Sequence, residues 1–386
     1  MPAFAAGAAN EQAPAAGGSG PVSLPPERVP RLPRAPPWEC LPRDHIGRGV
    51  DHFCLTGGQA VNLCIPKMRD TWNGERHPAL DASRVVAHHR VTPPSAHEAA
   101  MTRTVYLNGD YIPETEAKVS IFDRGFVMGD AIYEVTAVLD GKLIDFPGHM
   151  ARLKRSLGEF SIRNPLDDDA YLAAHRKLLE LNGITDGMVY LQISRGNGGD
   201  RDFVFPPEDT PPTVVMFTWN KPGMADNPLT QTGIRVITLP DIRWKRRDIK
   251  SVMLAYPSMA KMQAKAAGRD DAWLVEDGFV TEGTSNNAYI VANGTIVTRA
   301  LSHDILHGIT RAAVLRFADE AQMKVEERNF TVAEAQAADE AFITSSSMFV
   351  MPVVQIDDAE IGTDKPGPVA ARLREIYLEE SRKSAI

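Results

Sequence analysis

The sequence predicts a mixed α+β fold of two domains behind a disordered N-terminal extension, and three observations carry that prediction. Residues 1 to 37 are dominated by Ala, Pro and Gly, a composition that cannot bury enough apolar surface to offset chain entropy. From Met101 the texture changes to β-rich runs broken by Asn-Gly and Asp-Gly pairs, the strongest local hairpin signal. Between these runs lie segments whose apolar residues recur three and four apart, as on an amphipathic helix. Hairpins mixed with helices exclude a purely parallel sheet.

The extension is expected to run to residue 100. Between 38 and 100 the apolar residues are scattered without a sustained period, and Pro93 and Pro94 interrupt them. Cys40, Cys54 and Cys64 are the chain's 3 cysteines, so the body after Met101 holds no disulfide. Combined with His45 or His52 they lack the C-x-x-C pairing of ordinary zinc sites, and no metal is expected.

A small N-terminal α/β domain is expected over 101–220. It opens with "TVYLNGDYI", a hairpin turning at Asn108-Gly109, and "YEVTAVLDGKLIDF" repeats the device at Asp140-Gly141. Pro147 opens a helix in which Met150, Leu153, Leu157 and Phe160 form the apolar stripe, ending near Arg163. A second helix lies in "LDDDAYLAAHRKLLELNG", with acids in its first turn and Gly183 to stop it. The strands "MVYLQISRG" and "TVVMFTWN" follow. The Pro- and Gly-bearing segment 221–228, "KPGMADNP", is the expected interdomain linker.

A larger C-terminal domain is expected over 229–386. It begins with the strand "GIRVITLP", then a loop carrying Lys250 and a helix ending at Gly268. Two hairpins turn at Asp277-Gly278 and Asn293-Gly294. A helix from about Thr310, a short acidic one near 332 to 339 and a last one near 367 to 383 complete the domain.

Composition narrows the function. Lys plus Arg total 42 against 50 Asp plus Glu, a net charge of −8, with no basic block to track a nucleic-acid backbone. No apolar stretch approaches the roughly 20 residues that cross a bilayer, and the N-terminus has no continuous apolar signal segment, so a cytoplasmic protein is expected.

Several residues ask for a chemical reading. Lys250 is followed by Val252, Met253 and Leu254, a setting expected to keep water from its amine and lower its pKa, leaving a neutral fraction able to attack a carbonyl. Arg246 and Arg247 lower it further if they point the same way. Lys261 and Lys265 fall at helical spacing and read as solvated. Gly308, Ile309 and Thr310 stand where a loop becomes a helix, a place for an anion, unless Thr310 is simply the N-cap. The hydroxyl run Thr344 to Ser347 is by itself a polar turn. His149, Arg152 and Ser156 share a helix face opposite the apolar stripe; Arg152 can fork onto a phosphate or simply be solvated. Glu282 is either a turn carboxylate in water or one aimed at a ring nitrogen. Lysine, anion cradle and carboxylate together are what pyridoxal 5′-phosphate requires of a protein.

Seven motifs now stand in order: "FDRGFVMGDAIYEV", "HMARL", "YLQISRG", "RRDIKS", "VTEGTSNNAYIV", "HGITR" and "TSSSMFVMPV". In sequence and interval they resemble the fold-type IV pyridoxal-phosphate-dependent aminotransferases, and within these most resemble the D-amino-acid (D-alanine) aminotransferases. The resemblance covers Met101 to the C-terminus. It implies that residues 1 to 100 are either a start placed too far upstream or a disordered appendage, with no part in the site.

The same resemblance assigns roles. Lys250 becomes the Schiff-base lysine and the group that moves the proton. Glu282 holds the pyridine nitrogen. Arg152, Ile309, Thr310 and the hydroxyls of Ser346 and Ser347 bind phosphate, with Ser345 an alternative to either. Leu306 packs on the ring, and Ser285 and Asn286 join the cofactor site. For substrate, the relatives grip the α-carboxylate with a tyrosine and an Arg-x-His pair reaching in from the neighbouring subunit. Here Tyr133 and Arg201 match, but Phe203 stands where the histidine is expected, and it cannot donate a hydrogen bond.

The implied reaction moves an amino group from a D-amino acid to a 2-oxo acid such as 2-oxoglutarate, in a homodimer. Branched-chain L-amino-acid aminotransferase, R-selective amine transaminase and aminodeoxychorismate lyase share the cofactor residues and remain alternatives. A pyridoxal-phosphate carrier or regulator is the non-enzyme alternative; it has no use for Arg201.

Overall fold

The computed structural model describes residues 102–386. The expected extension and the cysteine group at 40, 54 and 64 lie outside the described residues. Two sheets organise the rest. Strands β1 (Thr104–Leu107), β2 (Asp110–Pro113), β3 (Ala131–Leu139), β4 (Lys142–Leu143), β5 (Gly187–Ser194) and β6 (Thr213–Asn220) form a six-stranded antiparallel sheet in the order β2-β1-β6-β5-β3-β4. Helices α1 (Arg124–Met128), α2 (Phe146–Glu159) and α3 (Asp168–Asn182) belong to this half.

The turns follow the dipeptides that predict them. Asn108 and Gly109 take φ of 52° and 110°, and Asp140 and Gly141 take 54° and 75°, the left-handed pair a two-residue hairpin turn requires. Helix α3 begins at an Asp167 side chain that accepts the Ala170 N–H and stops at Gly183 with φ 61°. Helix α2 ends at Glu159, earlier than the spacing predicts, because Ser161 turns left-handed at φ 51°. Its apolar stripe Met150, Leu153 and Leu157 packs with Val189, Leu191 and Met216 of the sheet.

The second half holds α4 (Leu229–Thr232), β7 (Ile234–Pro240), α5 (Ala255–Ala266), β8 (Asp271–Glu276), β9 (Phe279–Gly283), β10 (Asn287–Ala292), β11 (Thr295–Thr298), α6 (Ile309–Glu320), β12 (Lys324–Glu327), α7 (Val332–Gln336), β13 (Glu340–Ser345), β14 (Phe349–Ile356), β15 (Ala359–Glu360) and α8 (Pro368–Ser384). Its nine-stranded sheet runs β12-β11-β10-β13-β14-β7-β8-β9, with β15 on β14. Strand β7 is parallel to both β8 and β14, and β11 to β12, while hairpins and the β10–β13 pairing supply the antiparallel neighbours. Helix α7 starts with a full capping box, Thr331 with Glu334.

Segment 221–228 is packed rather than extended. It makes a single 3-10 turn at Met224–Asp226, and Met224 and Ala225 are buried in a core with Phe317, Phe349 and Tyr377. Arg374 of α8 donates to the Ala225 carbonyl at 2.7 Å. Among the described residues no helix is long and apolar enough to cross a membrane, and no cluster of three or more His, Cys, Asp or Glu could hold a metal.

Candidate active site

After β7 the chain crosses from the nine-stranded sheet to the six-stranded one before α5 begins. The Lys250 carbonyl accepts the Tyr133 N–H at 3.0 Å, the Val252 N–H donates to the Ala131 carbonyl at 3.1 Å, and Ser251 bridges Ile132. The loop is therefore laid antiparallel along the start of β3. This pairing puts Lys250 Nζ 4.2 Å from the centroid of the Tyr133 ring, a cation over an aromatic face.

Of the apolar run after Lys250, Val252 is half-buried, and Val252, Met253 and Leu254 line the same cavity as the lysine. Met253 and Leu254 are themselves 41% and 36% exposed, and the Tyr133 ring lies against the amine from the β3 side. Arg246 and Arg247 do not act on it as free charges. Arg247 pairs with Glu276 at 2.7 Å and lies 3.5 Å from Asp241, and Arg246 pairs with Asp248 and Glu159. Carboxylates neutralise both.

Glu282, at the end of β9, is 3% exposed. Its Oε1 accepts Arg243 Nη1 at 2.7 Å, and its Oε2 accepts Asn287 Nδ2 at 3.1 Å and the Leu306 N–H at 3.0 Å. A carboxylate has about four acceptor positions. Three are used, and the fourth, on Oε1, is open. Asn287 also donates to the Leu306 carbonyl at 3.0 Å, so the 306 loop is stapled to the carboxylate. Arg243 is in turn fixed by Asp241 through Nε at 3.0 Å and Nη2 at 2.7 Å.

The anion end is built on α6. Its N-cap is Gly308, extended at φ −63°, ψ 135°, with no side-chain cap, so the N-cap reading of Thr310 gives way. Thr310 lies inside the first turn and is 3% exposed. A glycine cap leaves the first backbone N–H groups of a 12-residue helix without a side-chain partner, at its positive end. A Cβ at 308 would overlap the Asn287 amide oxygen, which is why a residue with a capping side chain cannot stand there.

The polar face of α2 is buried, not solvated. His149, Arg152 and Ser156 are 2%, 7% and 0% exposed: Glu134 of β3 meets the first two, and the Lys250 N–H donates to Ser156 Oγ at 3.4 Å. Arg152 donates Nε to Glu134 Oε1 at 2.8 Å and Nη2 to Oε2 at 2.7 Å, and His149 Nδ1 meets Oε2 at 2.8 Å. Burial pushes the Glu134 carboxyl up, but the Arg152 charge and hydrogen bonds, with His149, outweigh it and hold the group at about 2. Arg152 Nη1 reaches the His307 carbonyl at 3.0 Å, which ties α2 to the start of α6.

These elements enclose one cavity of about 470 Å³. Lys250, Tyr133, Arg152, Glu282 and Leu306 line it, as do Ser285, Asn286, Ile309, Thr310 and Ser346. Ser347 does not. Of the two neighbouring hydroxyls that do, Ser345 Oγ accepts the Met348 N–H at 3.2 Å, whereas Ser346 makes no side-chain hydrogen bond among the described residues. Arg201 and Phe203 are exposed on the β5–β6 loop, outside this chain's cavity.

Sequence reasoning missed Arg243, Asn287, Arg311 and Glu134. Arg311 lines the cavity, is 3% exposed, and its Nε finds no partner. Arg243 and Asn287 carry no local signal, since the carboxylate they serve is placed by the sheet. Glu134 did have one: an acid inside the otherwise apolar run "AIYEVTAVL" is costly unless paired.

An amine beside an aromatic ring, a buried carboxylate with an unused acceptor, and an uncapped helix start would suit a phosphorylated pyridine aldehyde, the amine serving its aldehyde, the carboxylate its ring nitrogen and the helix start its phosphate. That is the chemistry of a pyridoxal-phosphate enzyme of fold type IV. The family model described as amino-transferase class IV matches residues 131–356, and the chain belongs to that family of pyridoxal-phosphate-dependent transaminases. It is similar to the D-alanine aminotransferase of Staphylococcus aureus (strain MSSA476), 35% identical over 271 residues, 70% of this chain and 95% of that protein. The D-alanine aminotransferase of Bacillus licheniformis is 37% identical over 285 residues, 72% and 99% of the two chains. Among solved structures, a T.th. branched-chain amino acid aminotransferase with pyridoxamine 5′-phosphate superposes with a TM-score of 0.67 at 27% identity, covering 72% of this chain and 94% of that one.

Proposed function

We propose that this transaminase moves the amino group of a D-amino acid such as D-alanine to a 2-oxo acid such as 2-oxoglutarate, as a cytoplasmic homodimer. The observation that carries the reading is the Tyr133 ring 4.2 Å from Lys250 Nζ, a phenol beside the reacting amine where a substrate carboxylate has to be held. The relatives at 35% and 37% identity are named D-alanine aminotransferases.

Pyridoxal phosphate, when bound, supplies an aldehyde that accepts amino groups and a ring that withdraws electrons from the substrate Cα. Lys250 Nζ would hold the cofactor through its aldehyde and would take the proton from the substrate Cα and return it. Glu282 Oε1 keeps the ring nitrogen protonated, and Arg243 and Asn287 fix its orientation. The Ile309 and Thr310 N–H groups, the Thr310 and Ser346 hydroxyls and Arg152 hold the phosphate. Leu306 packs on the ring, with Ser285 and Asn286 along the cavity wall. Tyr133 and Arg201 of a second copy hold the substrate carboxylate, since Arg201 lies outside its own cavity.

A second reading, branched-chain L-amino-acid transfer, is favoured by the TM-score of 0.67 to the T.th. branched-chain enzyme. Purified holoenzyme given D-alanine or L-leucine with 2-oxoglutarate decides between them. Turnover of D-alanine at least tenfold faster in kcat/KM is expected; preference for L-leucine would overturn the D-amino-acid reading.

A further inference from the structure

The loop between β5 and β6 carries Phe203, Val204 and Phe205 at 76%, 72% and 57% exposure. Adjacent large apolar side chains held in water ask for a reason. The loop is firmly held. Arg124, 6% exposed, donates Nη1 to the carbonyls of Asp202 at 2.6 Å and Val204 at 3.4 Å, the residues on either side of Phe203. Its Nε pairs with Asp130 at 2.7 Å, and Arg195 pairs with the same carboxylate at 2.7 and 3.0 Å. Two guanidinium groups thus share one acid, and the Phe205 ring face answers the excess charge, 3.7 Å from Arg195 and 5.6 Å from Arg124. Asp130 directly precedes Ala131, whose carbonyl holds the Val252 N–H at 3.1 Å, so the clamp is continuous with the Lys250 segment.

What the clamp leaves outward is Arg201 and Phe203. Arg201 has no carboxylate partner among the described residues, and its guanidinium carbon lies 4.9 Å from the Phe203 ring centroid. We propose that Phe203 is a positioning residue: its ring face holds the Arg201 guanidinium, so that the pair receives a substrate carboxylate without a histidine. The inference rests on the reading above in which Arg201 serves a neighbouring copy. A ring under the guanidinium uses none of its N–H groups, so the fork stays available for two parallel hydrogen bonds. It also restrains a rotamer-rich side chain before binding, which lowers the entropy lost on association. Phenylalanine has no proton to exchange, so this reception is insensitive to pH where a histidine would titrate.

The test uses the full-length holoenzyme, propionate as a non-reacting carboxylate probe titrated by NMR, and KM and kcat for D-alanine. In F203A the Kd for propionate and the KM rise about two- to fivefold, the factor given by an exposed cation–π contact, while kcat and the cofactor absorbance stay at wild-type values. F203W restores both constants. F203H binds propionate with an affinity that falls as pH rises through about 6.5, whereas the wild type stays flat. Wild-type Kd and KM in F203A, or no recovery in F203W, overturns the inference. R201A separates the two layers: propionate binding weakened in R201A but not in F203A removes only the role of Phe203, and unchanged binding in R201A removes the reading of Arg201 itself.

Discussion

Glu134→Gln tests the ion cluster on which the anion end of the site stands. Glu134 is 0% exposed and is the shared partner of Arg152 and His149. Glutamine keeps the shape and one acceptor but removes the charge, leaving Arg152 as a buried cation without its carboxylate. The shift from the ordinary 4.5 to about 2 corresponds to ~3 kcal/mol at neutral pH, within the range of roughly 3–5 kcal/mol for breaking a buried pair. The folded-state pKa is depressed, so this stability is fully present above about 4.5 and is lost as pH falls toward about 2. Roughly a quarter of it is gone by about pH 4. Thermal unfolding of the apoprotein by circular dichroism at several pH values measures the effect. At about pH 7 the variant should melt on the order of 10 °C below wild type, and the gap should narrow as the pH approaches about 4. A gap of under about 2 °C at about pH 7, or one that widens on acidification, would refute the reasoning, since either result means that the charge on Glu134 contributes nothing net to the fold.

Two further substitutions address the cofactor directly. Borohydride treatment of the wild-type holoenzyme should leave the reduced cofactor on the peptide carrying Lys250, and Lys250→Ala should lose both that label and turnover by at least a factor of about 10³; a label on Lys261 or Lys265 would sink the assignment. Gly308→Ala should weaken pyridoxal phosphate roughly tenfold or more by fluorescence titration of the apoprotein, because its Cβ displaces Asn287 and with it two hydrogen bonds around Glu282 and Leu306. Affinity within a factor of about two of wild type would show that the α6 start tolerates a side chain.

How much of this was legible beforehand depends on the range over which each signal acts. The hairpin turns at 108, 140, 277 and 293 were readable because a left-handed φ is a preference of the turn residues themselves. The Gly183 stop and the acidic first turn of α3 were local in the same way. The stripe of α2 predicted its buried face but not the fate of the opposite one, since Glu134, which buries that face, sits 18 residues from Arg152 on another element. Arg243 and Glu282 are separated by 39 residues, and no spacing rule joins them. The apolar neighbours of Lys250 were legible in its own segment, but the Tyr133 ring against its amine comes across a strand pairing.

By itself, then, the sequence determined the alternation of hairpins and helices and the mixed sheet class, because each depends on side chains that are close along the chain, and its ordered motifs carried the resemblance that implies the cofactor. Tertiary structure alone decided which hydroxyl of Ser345 to Ser347 stays unpaired at the cavity, which arginines remain free and which are neutralised, and that Arg201 and Phe203 face away from their own cavity. Those outcomes turn on charge pairing and burial between segments far apart in sequence, and such energies fall off within a few ångströms of space, not a few residues of chain.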